Sequence, residues 1–102
     1  MTKVTNEERL LKVLAGVYTA IVQLGLGNKF GVHREEVNSG IIHLKFKPRN
    51  LHQLRSDLDE LVANDLVIRN EDNNSIRYFH DKRAEKIVVS IIQVWEDFRR
   101  SI

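Results

Sequence analysis

The chain has 102 residues, of which 42% are hydrophobic and 29% are charged, and it contains no cysteine. This length fits one domain, residues 1–102, with a core of its own, and the lack of cysteine excludes disulfides, thiolate metal ligands and cysteine nucleophiles. The formal net charge is only +2, so it does not by itself indicate a nucleic-acid ligand. The N-terminus lacks the apolar core of a signal peptide, and the longest apolar stretch, Leu10 to Leu26, is interrupted by polar residues. We therefore expect a soluble cytoplasmic protein that does not insert into a membrane.

The distribution of charge is more informative than its sum. Residues 27–56 contain six lysines or arginines against two glutamates, whereas residues 57–66 contain four acidic residues and no basic one. A basic block beside an acidic block predicts a surface with one basic side.

The first predicted helix begins near Thr5, because Thr5 and Glu8 match a capping box, and it runs to about Leu26. Apolar residues cover most of its circumference, which predicts burial on more than one side. The polar positions form one narrow strip of Lys12, Gly16, Thr19 and Gln23.

A short second helix is predicted from near His33, and it ends between Asn38 and Ile42. The next stretch alternates apolar and polar residues, so residues 40–47 fit either the end of this helix or a short strand.

The third helix has the clearest signals. Pro48 interrupts the chain and Asn50 is a good N-cap. Helical spacing then predicts one inward-facing stripe of Leu51, Leu54, Leu58, Leu61 and Val62.

A hairpin and a last helix complete the pattern. Leu66–Arg69 and Ser75–Phe79 are typical of strands, with Asn70–Asn74 as the turn. The last helix begins near Asp81 and ends at about Arg100, so the whole chain is predicted to be an α+β domain. The main apolar stripe of this helix is Ala84, Ile87, Val88, Ile91, Trp95, Phe98 and Ile102.

The stretch Leu58-x-x-Leu61, Leu66-Val67-x-Arg69, a polar hairpin and Tyr78-Phe79 resembles a winged helix-turn-helix recognition helix that runs into its wing. PadR-like transcriptional regulators share this pattern. The bacterial replication terminator family is the closer local match, through Phe30-Gly31-Val32, Glu36-Val37, Phe46-Lys47-Pro48 and Arg55-Ser56.

The resemblance covers about residues 30–79 and is followed in both families by a long C-terminal helix. Asp65 departs from it, because such families often have a glycine where the third helix ends. The resemblance implies a dimer that binds double-stranded DNA, with the third helix in the major groove and the wing along the backbone.

The solvent face of the third helix carries side chains suited to reading bases. Arg49, Gln53 and Ser56 are predicted to point away from the leucine stripe, with His52 beside them. Arginine can pair with guanine, glutamine with adenine, and serine or histidine with bases or phosphates. An ordinary exposed helix face is the alternative, in which Gln53 closes a cap with Asn50 and Arg55 pairs with an acid one turn on. The candidate DNA-binding residues of this region are Lys47, Arg49, Asn50, His52, Gln53, Arg55 and Ser56.

The hairpin supplies the second group of candidates. Arg69 and Arg77 flank a polar tip that includes Asn74, and a wing of this kind can set its cations against phosphates. Glu71 and Asp72 favour the alternative of an ordinary solvated hairpin. Other cations, such as Lys45 and Lys86, are individually typical of plain surface charges.

The apolar surface of the first and last helices exceeds what one small core needs. We therefore predict a two-fold homodimer through the C-terminal helix, about residues 81–101. Packing of the two helices only on each other is the alternative. The candidate dimerisation residues are Val88, Ile91, Ile92, Trp95 and Phe98.

Enzymatic functions are disfavoured. The four histidines lack the spacing of a zinc site, and no glycine-rich phosphate loop is present. We predict no catalytic residue, no metal and no cofactor.

The function favoured by the sequence is nucleoid-associated transcription regulation by sequence-specific DNA binding. Plasmid or viral DNA partition, replication termination, and a role within a larger nucleoprotein complex stay open. A winged helix that binds another protein instead of DNA is a further alternative.

Overall fold

In the computed structural model, which describes residues 6–101, the chain forms the α+β arrangement expected from its sequence. The predicted cap at Thr5 and the apolar position Ile102 lie outside the described residues. The elements are α1 (Asn6–Tyr18), a π-helical turn (Thr19–Gln23), α2 (Arg34–His43), α3 (Leu51–Ala63), β1 (Val67–Asp72), β2 (Ser75–His80) and α4 (Lys82–Arg100).

The core is organised around α1. This helix contacts α2, α3, α4 and β2, which confirms the expectation that it is buried on more than one side. The α-helical part ends at Tyr18, earlier than predicted, and the π-helical turn continues it to Gln23. Fully buried side chains include Val13, Leu14 and Val17 of α1, Val37 and Ile41 of α2, Leu54 and Leu58 of α3, and Val88 of α4.

The polar strip of the first helix does not face solvent along its whole length. Gly16 and Thr19 are buried, because α2 crosses α1 at this point with almost no space between the two backbones. A Cβ atom added at Gly40 would lie 2.1 Å from the carbonyl oxygen of Gly16. The two glycines therefore set the distance between α1 and α2.

The segment between α1 and α2 adds one short strand-like contact to the hairpin. Val32 N–H donates to the Tyr78 carbonyl at 2.9 Å, and Tyr78 N–H donates to the Val32 carbonyl at 2.8 Å. One residue later, His33 is the N-cap residue of α2, and its backbone N–H donates to Glu36 Oε1 at 2.9 Å. This bridge has no counterpart in the sequence pattern, because one apolar residue between Gly31 and His33 is too short to show alternation.

The open question of residues 40–47 is settled in favour of the helix. α2 continues to His43, and Lys45 then adopts a left-handed conformation with φ of 71°. A left-handed residue after a helix ends its hydrogen-bond pattern, so the alternation at 42–46 reflects the helix end and a turn.

The hairpin is longer and its turn is tighter than predicted. Val67 pairs with His80 and Asp72 pairs with Ser75, which leaves only Asn73 and Asn74 in the turn. Both asparagines have positive φ, 46° and 67°. Two-residue turns of this kind match the twist of the strands, and asparagine tolerates the conformation better than most residues do.

α4 begins as predicted, since the side chain of Asp81 accepts a hydrogen bond from Arg83 N–H at 2.8 Å. Its buried residues are Ala84, Val88 and Ile92. The inward face therefore lies to one side of the predicted stripe, and Ile87 and Phe98 remain exposed. None of the helices between residues 6 and 101 combines the length and hydropathy that a bilayer crossing requires.

Candidate nucleic-acid interface

α3 is held by its start and by its inner face. Asn50 Oδ1 accepts hydrogen bonds from the backbone N–H of His52 at 2.9 Å and of Gln53 at 3.4 Å, which confirms the predicted N-cap. Leu54, Leu58 and Leu61 of the predicted stripe are buried, whereas Leu51 is partly exposed and Val62 is half-buried.

The outer face of the first two turns carries His52, Gln53 and Ser56. All three are exposed, and within residues 6–101 their side chains take part in no hydrogen bond or ion pair. Asn50 is also exposed, but its side-chain oxygen is occupied by the cap. The structure thus brings together three of the four predicted base-reading residues on one uncommitted face.

Arg49, the fourth predicted base-reading residue, does not lie on this face. It precedes the N-cap, so the helical projection used for the prediction does not apply to it. Its Nε atom lies 3.1 Å from Oδ2 of Asp57, and Arg9 Nε lies 3.2 Å from Oδ1 of the same carboxylate. Neither Nε–H is aligned for a hydrogen bond, so both contacts are ion pairs. The side chain of Asp57 is only 6% exposed.

Sequence reasoning missed both Asp57 and Asn38. Asn38 Nδ2 donates to the Arg49 carbonyl at 2.8 Å, and Arg49 N–H donates to Asn38 Oδ1 at 2.9 Å. This pair of bonds fixes the chain entering α3 to α2. The position of Asp57 among the buried leucines at helical spacing was the available signal, since a carboxylate there needs a cationic partner.

The hairpin is joined to α3 through Asp59. Arg69 Nη1 lies 3.8 Å from Asp59 Oδ1, and Tyr78 Oη donates to the same oxygen at 3.3 Å. Burial, and then the charge of Asp59, raise the pKa of Tyr78. Arg69 also contacts Glu71 at 3.2 Å, so its charge is partly neutralised at the wing.

Arg77 is used inside the domain, contrary to its predicted place beside the phosphates. Its Nη1 donates to the Gly31 carbonyl at 3.1 Å and lies 3.8 Å from Glu36 Oε1. Because β2 faces the segment before α2 at this position, Arg77 fastens that segment to the hairpin.

A crevice of about 210 Å³ separates α3 from the hairpin and the start of α2, and Arg55 and Asn74 both line it. Arg55 is exposed. The alternative in which Arg55 pairs with the acid one turn on, Asp59, is not found among the described residues. Asp59 contacts Arg69 and Tyr78 instead. Arg55 and the wing tip therefore meet at one edge of the α3 face.

The charge of α3 changes along its length. Lys47 is exposed just before the helix and Arg55 lies in its second turn, while Asp59 and Glu60 follow. The positive end of the helix dipole lies at the basic end, so the half of α3 with His52 and Gln53 is the half that attracts an anion.

The predicted dimerisation residues divide into two groups. Val88 and Ile92 are buried in the core of one chain, and Trp95 packs edge-to-face on Phe46 at 4.9 Å. Trp95 and Ile91 are both half-buried, and Phe98, which is 66% exposed, retains the most surface for a partner. Val88 and Ile92 were predicted as interface residues because the sequence does not say which side of α4 packs on α1.

Among the described residues, no group of three or more histidine, aspartate or glutamate side chains is placed to hold a metal ion. In comparisons with known proteins, no family model, no curated protein and no solved structure matches the chain. The fold and the geometry of this face therefore carry the functional inference.

Proposed function

We propose that the protein is a winged helix-turn-helix module that binds specific sequences in double-stranded DNA as a homodimer and regulates transcription, without catalysis. The observation that carries the proposal is the outer face of α3, where His52, Gln53 and Ser56 are exposed and uncommitted at the basic end of the helix.

The order of the elements supports the winged-helix interpretation. α2 and α3 are consecutive helices fixed to each other through Asn38, and the hairpin follows α3 directly. The Val32–Tyr78 bridge anchors the hairpin beside α2. In a helix-turn-helix protein the second helix enters the major groove with its N-terminal residues, which in α3 are His52, Gln53 and Ser56.

The roles of the remaining candidates follow from their contacts. Lys47, just before α3, and Arg55, in its second turn, are exposed cations and are assigned to phosphates. Asn74 at the wing tip is assigned to a contact with the DNA backbone. Arg49 and Arg77 are assigned to holding α3 and the hairpin in place, since their side chains are engaged within the domain.

A homodimer is supported by a second apolar stripe on α4. Ile87, Ile91, Val94 and Phe98 follow heptad spacing, and Val94 and Phe98 are 63% and 66% exposed. Arg83 and Asp97 flank this stripe on the same side, two heptads apart. In an antiparallel two-fold pairing of α4 with its copy, Arg83 of each chain would lie beside Asp97 of the other chain.

The test is fluorescence anisotropy of the protein on a pool of genomic duplexes at several salt concentrations, followed by the selected duplex and a scrambled one. We expect preference for the selected duplex and a steep fall in affinity with salt. Gln53→Ala should reduce the preference by about 1–3 kcal/mol, the typical value for a lost base pair contact.

Gln23→Ala is the matched control, because Gln23 is an exposed glutamine on the far end of the first helical segment. Equal effects of the two variants, or no binding of any duplex at low salt, would refute the proposal. In the second case the free face of α3 would have to serve a protein partner.

A further inference from the structure

We propose that a groove between α1 and the chain entering α3, separate from the outer face of α3, is a binding site for a phosphate group. The groove has a volume of about 560 Å³ and is lined by Arg9, Lys12, Ile41, Lys45, Phe46, Lys47 and Arg49. Five of these seven residues are cationic and none is acidic.

The charge of the groove is concentrated and only partly compensated. Asp57 lies beneath it and contacts Arg9 and Arg49, whereas the lining of the groove itself carries five positive charges. Like charges gathered in one groove repel each other, and this repulsion lowers stability unless a counter-charge is bound. The excess therefore favours an anion with more than one charge.

Three of the five cations, Arg9, Lys12 and Arg49, are positioned before any ligand binds. Asp57 fixes Arg9 and Arg49 through Nε, which leaves the four terminal N–H donors of each guanidinium outside these two contacts. Lys12 Nζ lies 4.7 Å from the centre of the Phe46 ring, which orients this lysine towards the groove wall. Pre-positioned donors lose less conformational entropy on binding.

The ligand is recognised by charge and not by stacking. The Phe46 ring lies 4.7 Å from Lys12 Nζ, 5.0 Å from the Arg99 guanidinium and 4.9 Å from the centre of the Trp95 ring, so it is occupied within the domain. Guanidinium groups match the oxygens of a phosphate in pairs. A phosphate thus fits this site better than a nucleobase or an aromatic acid does.

Two sources can supply the phosphate: the backbone of bound DNA or a free phosphorylated small molecule. The first case rests on the proposed function, because the groove adjoins the start of α3; the second does not. The experiment measures the binding of a free phosphate compound and of duplex DNA in two variants, Lys12→Gln and Lys45→Asn. Neither variant alters the α3 face. Asparagine suits position 45 because it tolerates the positive φ found there. Lys86→Gln, an exposed lysine of α4, is the charge-matched control.

In the first arm, pyrophosphate is titrated at constant ionic strength and followed by amide chemical shifts and calorimetry. We expect saturable binding with shifts at Arg9, Lys45 and Arg49, weakened roughly tenfold by each groove variant because a charge-assisted contact is lost. Lys86→Gln should leave it unchanged. In the second arm, the salt dependence of duplex binding is measured, and loss of one phosphate contact should reduce its slope by about 0.9.

Pyrophosphate binding that depends on the groove, with an unchanged DNA slope, identifies a free ligand. A smaller slope in both groove variants but not in Lys86→Gln identifies backbone phosphate. If neither arm distinguishes the groove variants from Lys86→Gln, the site does not exist. If no duplex binds the wild-type protein, the proposed function fails while the pyrophosphate arm still decides this inference.

Discussion

At the scale of single residues, His80 is a buried histidine whose surroundings disfavour its charged form. Burial lowers the pKa of His80 below the ordinary value of 6.5, although Glu85 and Asp81 act in the opposite direction. Its ring stacks on Phe79 and meets Tyr18 edge-on, and its Nδ1 has no hydrogen-bond partner within residues 6–101. The native state therefore holds this ring neutral.

A loss of stability at mildly acidic pH follows. Well above pH 6.5 the ring is neutral in both states, so its contribution to stability is complete. As the pH falls from 6.5 through the folded-state pKa, the unfolded chain binds a proton that the native state does not, and the free energy of unfolding drops by at most about 1.4 kcal/mol per pH unit.

Urea unfolding at about pH 7.5 and about pH 5.5 measures this drop. His80→Gln should show a smaller drop than the wild type, whereas His52→Gln, at an exposed position, should keep the wild-type drop. An identical pH dependence in wild type and His80→Gln would mean that the ring is protonated in the native state as well.

Residue placement could be predicted where it depends on one helix alone. His52, Gln53 and Ser56 face outwards because the leucines of the same helix must face inwards. Arg49 and Arg77 were misplaced because their positions depend on partners distant in sequence, namely Asp57 and the Gly31 carbonyl. A helical projection contains no information about such partners.

At the scale of elements, the crossing of α1 and α2 depends on Gly16 and Gly40. Alanine normally stabilises a helix relative to glycine by about 1 kcal/mol. At position 40, however, the new Cβ would lie 2.1 Å from a backbone oxygen of α1, and a backbone atom cannot move aside without displacing the helix.

We therefore expect Gly40→Ala to lower the free energy of unfolding by about 1–3 kcal/mol, in the range typical of overpacked cores. Chemical denaturation followed by circular dichroism gives the value. Ser39→Ala, at the exposed neighbouring position, should change it by no more than about 0.5 kcal/mol. A stabilised Gly40→Ala protein would show that the two helices are not in contact there.

The starts of helices that have a capping residue could be predicted from the sequence. The ends of elements without such a residue could not. Asn50 and Asp81 marked the starts of α3 and α4 because a side-chain oxygen must replace the missing backbone acceptor. The hairpin was underestimated because Asn70, Glu71 and Asp72 are unusual in strands, yet they pair in β1 with β2. Cross-strand pairing overrides such weak preferences.

At the scale of the whole molecule, the proposed dimer depends on the exposed stripe of α4. The double variant Val94→Glu with Phe98→Glu should convert the dimer to a monomer, because it places charges in the seam. Its folded state should persist, since neither side chain fills the core. Sedimentation equilibrium measures the mass, and circular dichroism checks the fold.

Lys86→Glu changes the charge of the same helix by the same two units at an exposed position outside the stripe, and it should remain dimeric. We also expect the double variant to bind a two-half-site duplex with the affinity of a single half-site. A wild-type protein that is monomeric at micromolar concentration would contradict the dimer, and so would a double variant that stays dimeric.

The overall α+β class was predictable because hydrophobic periodicity and end signals agreed along the chain. The face of α4 used for the core was not, because two adjacent apolar stripes on one helix are equivalent until a neighbour selects one. Here Val88 and Ile92 are buried in the core, and Val94 and Phe98 remain exposed.

The contacts of Arg99 connect the end of α4 with the phosphate groove. Arg99 lies on α4, donates to the Leu44 carbonyl and stands over Phe46, the same ring that orients Lys12. Under the proposals above, a partner that orders the end of α4 would also order the phosphate groove. Thermodynamic linkage makes this coupling reciprocal, so occupancy of the groove by an anion would strengthen dimerisation, just as dimerisation would raise the affinity for the anion.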